Sequence, residues 1–165
     1  MSRNTFLETI HSVDMIKTIL KEKSYGVEYQ PFVSTKDESI EAYEALSRFI
    51  YVAQPISPKV FFGVCHGSIE LFFEAEEVLK KFQFEHRPKG KKLFVNFDPH
   101  ILLERGRVNE VFEFFSKQDN FVIELVENSQ ESVNTKKLLL IFENLKYDFA
   151  VMIFLKKTAC YLLNF

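Results

Sequence analysis

Leu93-Phe94-Val95-Asn96-Phe97-Asp98-Pro99, followed after one helix length by Phe121-Val122-Ile123-Glu124-Leu125-Val126, is the stretch whose reading decides the fold. Each half is a short apolar run of strand length. Asp98-Pro99 reads as a helix cap followed by proline at the first helical position, where its missing N–H costs nothing. Helical spacing continues to about Ser116, with Val108, Val111 or Phe112, and Phe115 turned inward, and Asn120 marks the stop. Asn128-Ser129 opens another helical pattern carrying Leu138, Ile141 or Phe142, and Leu145, and Phe149 to Leu155 is a further buried-strand candidate. Strand, helix, strand, helix, strand with short loops predicts βαβ units and a parallel sheet. Connection handedness then places the helices on one side, as in a barrel or a doubly wound sheet.

Working towards the N-terminus, residues 4–22 predict an amphipathic helix. Phe6, Ile10, Val13, Met15 or Ile16, and Ile19 or Leu20 recur at three and four. Gly26 in Ser24-Tyr25-Gly26 is the expected left-handed cap. Val27 to Ser34 is extended, and Pro31 places it at a sheet edge or start. The polar turn Thr35 to Ser39 leads into a strand from Ile40 to Ile50, so the pair reads as a hairpin. From Ser47 to Gly67, Pro55, Pro58, Gly63 and Gly67 make the pattern irregular. A helix follows from about Ser68 to Phe82, and the basic run Arg87 to Lys92 reads as a solvated turn.

Composition narrows the class. The 165 residues are 47% hydrophobic and 27% charged, with a net charge of -2, so nothing draws the chain to a nucleic-acid polymer. Cys65 and Cys160 match no metal or redox spacing and read as reduced, packed thiols. The first thirty residues hold Glu8, Asp14 and several lysines with no apolar segment, so no secretory signal is visible. Phe149 to Leu155 is far short of the ~20 residues of a membrane helix. A single cytoplasmic domain spanning 1–165 is the expectation. The 19 phenylalanines predict an aromatic-rich core rather than a stacking surface.

Motif scanning is mostly negative: no glycine-rich phosphate loop, no H-E-x-x-H pair, no G-x-S-x-G elbow. His11, His66, His86 and His100 lack ligand spacing and read as surface or cap residues. Three polar residues interrupt apolar strands: Glu44 in Ile40 to Leu46, Asn96 between Val95 and Phe97, and Glu124 within Val122 to Val126. A carboxylate in a strand covered on both faces costs several kcal/mol unless it is paired or holds a metal. C-terminal strand ends of a parallel barrel converge on one face. Two carboxylates and an amide oxygen make a hard set fitting Mg²⁺, Mn²⁺ or Ca²⁺ better than zinc. The plainer alternative is that each residue faces solvent.

These residues carry a resemblance. Tyr29-Gln30-Pro31, Tyr43-Glu44-Ala45-Leu46-Ser47-Arg48-Phe49, Val95-Asn96-Phe97-Asp98-Pro99 and Ile123-Glu124-Leu125-Val126-Glu127-Asn128 resemble, in order and spacing, the EAL family of cyclic di-GMP phosphodiesterases. The resemblance runs from about Asp14 to Val151 and implies a modified TIM (β/α) barrel, of which this chain holds the N-terminal part. It implies that Glu44, Asn96 and Glu124 bind a catalytic Mg²⁺ or Mn²⁺, that Arg48 contacts a substrate phosphate, and that Gln30 lines the pocket rim. The implied reaction is hydrolysis of one phosphodiester bond of cyclic di-GMP to the linear dinucleotide, with metal-activated water as nucleophile.

The departure is as specific as the match. Where the family has a strand ending in Asp-Asp-Phe-Gly, this chain reads Phe149-Ala150-Val151-Met152-Ile153-Phe154-Leu155, and 152–165 resembles no part of the family. Two metal-binding aspartates and the later catalytic groups are missing, so the resemblance implies little or no phosphodiesterase activity. Loss of one leading G from Asp-Asp-Phe codons gives Met-Ile followed by Phe or Leu, so a frameshift after codon 151 is one expected origin of the tail; natural early termination is the other. An unclosed barrel exposes a strand edge, which predicts a homo-oligomer or a marginally stable monomer. The alternative to an enzyme is a degenerate domain that binds cyclic di-GMP or regulates by contact.

Overall fold

The computed structural model describes residues 3–98, 108–125 and 149–150. Helix α1, Arg3–Lys21, forms where the apolar spacing places it, with Ile16 and Ile19 fully buried. Its end differs from expectation. Ser24 N–H donates to Ile19 O at 2.9 Å and Lys23 N–H to Leu20 O at 3.3 Å, with Lys23 at φ 54. That is the paired bonding of a Schellman cap, closed at Lys23 rather than at Gly26. Gly26 instead lies inside strand β1, Tyr25–Val33.

Strand β2, Ile40–Tyr51, pairs with β1 as the predicted hairpin. Ser34 N–H donates to Ser39 O at 2.8 Å across its turn. The Asp37 carboxylate accepts from Ser39 N–H and Oγ, which lowers its pKa. β1 ends the sheet order, so Pro31 sits on an edge strand as expected.

The irregular reading of 47–67 is corrected. β2 runs on to Tyr51, then reverses through Val52 (φ 48) and Ala53 (φ 58) into strand β3, Gln54–Ile56, which pairs with β2 antiparallel. Ser57 then caps helix α2, Pro58–Cys65, its Oγ accepting from Val60 N–H at 3.3 Å. Pro58 opens a helix here rather than breaking one, because a first-turn N–H has no partner to lose. Gly63 is simply carried within α2. Helix α3, Ile69–Glu85, follows with Ser68 as its N-cap.

Strand β4, Lys92–Phe97, helix α4, Val108–Ser116, and strand β5, Phe121–Leu125, realise the strand–helix–strand stretch. β6, Phe149–Ala150, pairs beside β5. The expected start of a helix at Pro99, the helix after Asn128, the strand residues 151–155 and the tail 152–165 lie outside the described residues.

The chain divides into two compact units, Met1–Glu28 with Leu46–Arg87 and Tyr29–Ala45 with Pro88–Phe165. In the first, α1 packs on α2 and α3 around Phe49, Phe61 and Phe72. The Phe49 and Phe61 rings stack at 3.7 Å with 2° between their planes, and Phe62 meets both edge-on. The sheet order is β1-β2-β4-β5-β6, with β2, β4, β5 and β6 parallel; residues 29–33 of β1, 40–45 of β2, and β4, β5 and β6 belong to the second unit. Leu93, Val95 and Phe97 alternate onto the face covered by α4, where Phe115 meets Phe97 edge-on and stacks on Phe121. The aromatic-rich core is therefore present in both units.

Candidate functional site

Strand alternation decides where the polar residues go. With Leu93, Val95 and Phe97 turned to α4, Phe94 and Asn96 take the opposite face of β4. The parallel register sets Glu124 beside Asn96 and Glu44 beside Phe94, and register partners share a face. Glu44, Asn96 and Glu124 therefore come from three adjacent strands onto one side of the sheet. Asn96 Nδ2 donates to Glu44 Oε1 at 2.8 Å. Next in line, Glu124 pairs in register with Ala150 of β6.

The solvent-facing alternative does not hold for Glu124, which is 2% exposed. Its Oε2 is buried without a hydrogen-bond partner. Burial first, and the neighbouring Glu44 carboxylate second, push its pKa up from 4.5 to about 7. A carboxylate that is buried, unsatisfied and next to a second carboxylate is short of positive charge. A divalent cation would supply it, and the donors present (two carboxylates and an amide) are of the hard type such ions take. Among the described residues no group of three or more His, Cys, Asp or Glu gathers for a metal, so the set rests on two carboxylates with Asn96.

The other two predicted residues lie on the β1–β2 hairpin. Gln30 is exposed on β1 within the second unit. Arg48 is on β2 within the first unit, where its guanidinium holds Glu28: Nη2 lies 2.6 Å and Nε 2.9 Å from Glu28 Oε2. No apolar period or motif singles out Glu28 in the sequence. Counting outward from the Ser34–Ser39 turn sets Glu28 opposite Ala45, so it meets Arg48 only by reaching along the hairpin, which apolar patterning does not show.

Cys65 is free and buried, and burial, reinforced by Glu76, raises its thiol pKa to about 12, which makes it inert. His66 and His86 are the C-cap residues of α2 and α3, as their lack of ligand spacing predicts. His100 and Cys160 lie outside the described residues.

No family model and no curated protein matches the chain. Solved structures do. The EAL enzyme Bd1971 in its cGMP-bound form superposes with a TM-score of 0.70 at 18% identity, over 94% of this chain and 47% of its own. The Bacillus subtilis YkuI protein, with an EAL domain, in complex with substrate c-di-GMP and calcium, gives 0.67 at 18% identity, over 88% of this chain and 39% of its own. The FimX EAL domain from Pseudomonas aeruginosa bound to c-di-GMP gives 0.67 at 19% identity, over 88% and 63%. The chain thus spans less than half the length of the first two. The fold is that of these EAL domains, a TIM-barrel-like mixed α/β architecture, present here as an open part of the barrel's sheet among the described residues.

Proposed function

We propose that this chain carries an EAL-type site for cyclic di-GMP, built over one divalent cation held by Glu44, Asn96 and Glu124. The observation that carries this reading is the unsatisfied, buried Glu124 oxygen beside Glu44 and in register with Asn96. Mg²⁺ or Mn²⁺ is the proposed ion. When bound, it supplies Lewis-acid stabilisation to a phosphoryl oxygen. The chain's own residues orient it: Asn96 ties down one oxygen of Glu44, and Glu124 is held out of water on the face of β5 that it shares with Val122. Gln30 and Arg48 are the proposed ligand-contacting side chains.

Binding without turnover is the outcome this reading favours. The sequence after Val151 offers Met152 and Ile153 where the resemblance calls for two metal-binding aspartates. Without them there are too few negative charges for a second ion, and a two-metal arrangement is what clamps both attacking and leaving oxygens in such displacements. The cytoplasmic setting expected from the sequence goes with this ligand. Among the described residues no helix is long and apolar enough to cross a membrane.

Calorimetric titration with cyclic di-GMP in Mg²⁺ buffer, with chromatography of the recovered nucleotide, tests the proposal. Metal-dependent binding with intact nucleotide supports the receptor reading. Conversion to the linear dinucleotide supports the hydrolase reading. Absence of binding at millimolar nucleotide refutes both.

A further inference from the structure

Arg48 is committed before any ligand arrives. Two of its nitrogens, Nη2 and Nε, converge on one oxygen of Glu28, at 2.6 and 2.9 Å. The third, Nη1, donates to the Ser47 carbonyl at 3.0 Å. A phosphate needs the same two-nitrogen edge, because Arg grips phosphate and carboxylate with one fork geometry. Glu28 therefore stands where a phosphate would stand, and the pair is neutral, so the guanidinium has no net charge to offer until Glu28 leaves.

We propose that Glu28 is an internal competitor for Arg48 and sets the affinity of this chain for its anionic ligand. Exposure is what makes the competition reversible. The side chains of Arg48 and Glu28 are 45% and 60% exposed, so water is at hand to solvate the carboxylate as it swings away. A buried pair would be locked, whereas an exposed one is held only weakly. Length helps as well: Glu28 reaches across the hairpin from β1, so its release needs a side-chain rotation and no change in the β2 backbone that carries Arg48.

The inference rests on the cyclic di-GMP reading above, and its test separates the two. Cyclic di-GMP is titrated into the wild-type chain, Glu28→Gln, Arg48→Ala and the double variant, with Mg²⁺ present and binding read by calorimetry. Glu28→Gln keeps the size of the side chain and removes its charge. It should bind about two- to fivefold more tightly, the range to which an exposed ion pair converts. The gain should vanish when Arg48→Ala is added. Wild-type binding with no gain in Glu28→Gln, or a gain that survives loss of Arg48, overturns the competitor role and leaves the ligand reading standing. Binding by neither the wild type nor Glu28→Gln overturns both.

Discussion

Replacing Glu124 by glutamine should stabilise the metal-free protein at alkaline pH and leave it almost unchanged in acid. The carboxyl is 2% exposed, has an oxygen without a partner and faces Glu44, and its pKa stands at about 7 against an ordinary 4.5. The folded state holds this proton more tightly than the unfolded chain does. Its contribution to stability is therefore complete below about pH 4.5 and is lost as the pH rises to about 7. That displacement is worth on the order of 3 kcal/mol once the group is fully ionised. Glutamine cannot ionise, so it escapes the loss, while its amide must still find partners in the same space. The net gain at pH 8 should be about 1–3 kcal/mol. Urea unfolding followed by circular dichroism, in EDTA at pH 4.5 and pH 8, measures it. Adding Mg²⁺ at pH 8 should raise the midpoint of the wild type and leave Glu124→Gln unmoved. A variant that is less stable than the wild type at pH 8 would refute the reasoning, because Glu124 would then be making a stabilising contact as an anion.

Val52 and Ala53 turn the β2–β3 hairpin at positive φ, with Val52 77% exposed and β-branched. Val52→Asn with Ala53→Gly should add about 1–2 kcal/mol by thermal unfolding, since left-handed backbone suits that pair; a loss of stability would count against the turn. Glu76 and Lys80 form a buried ion pair at 2.9 Å on α3. Lys80→Met should cost about 3–5 kcal/mol in urea, and Glu76→Leu added to it should recover most of that, whereas additive losses would contradict the pairing. β1 and β6 end the sheet order of the described residues. A mass that rises with concentration in sedimentation is expected from such edges, and a monomer at every concentration would contradict it.

The parallel strands and their helices were legible because strand and helix periods differ and the caps are explicit: Leu93 to Phe97, Asn120 before Phe121, and Ser68 before α3. α2 was hidden by Pro58, which reads as a breaker until Ser57 is recognised as its cap. The end of α1 was displaced because Lys23 adopts the left-handed conformation that glycine is expected to supply. At the site, residue types pointed to a hard cation, yet the pairing of Asn96 with Glu124 depends on register, which only strand partners fix. The Glu28–Arg48 pair is likewise a cross-strand fact that a linear pattern does not hold.

Electron paramagnetic resonance of Mn²⁺ titrated into the wild type and into Glu124→Gln bears most directly on the three oxygen donors. One Mn²⁺ per chain should lose its free-ion signal in the wild type at pH 8, be displaced by excess Mg²⁺, and remain free in the variant. A free Mn²⁺ signal undiminished by the wild-type protein, or equal uptake by both proteins, would contradict a cation site at Glu44, Asn96 and Glu124.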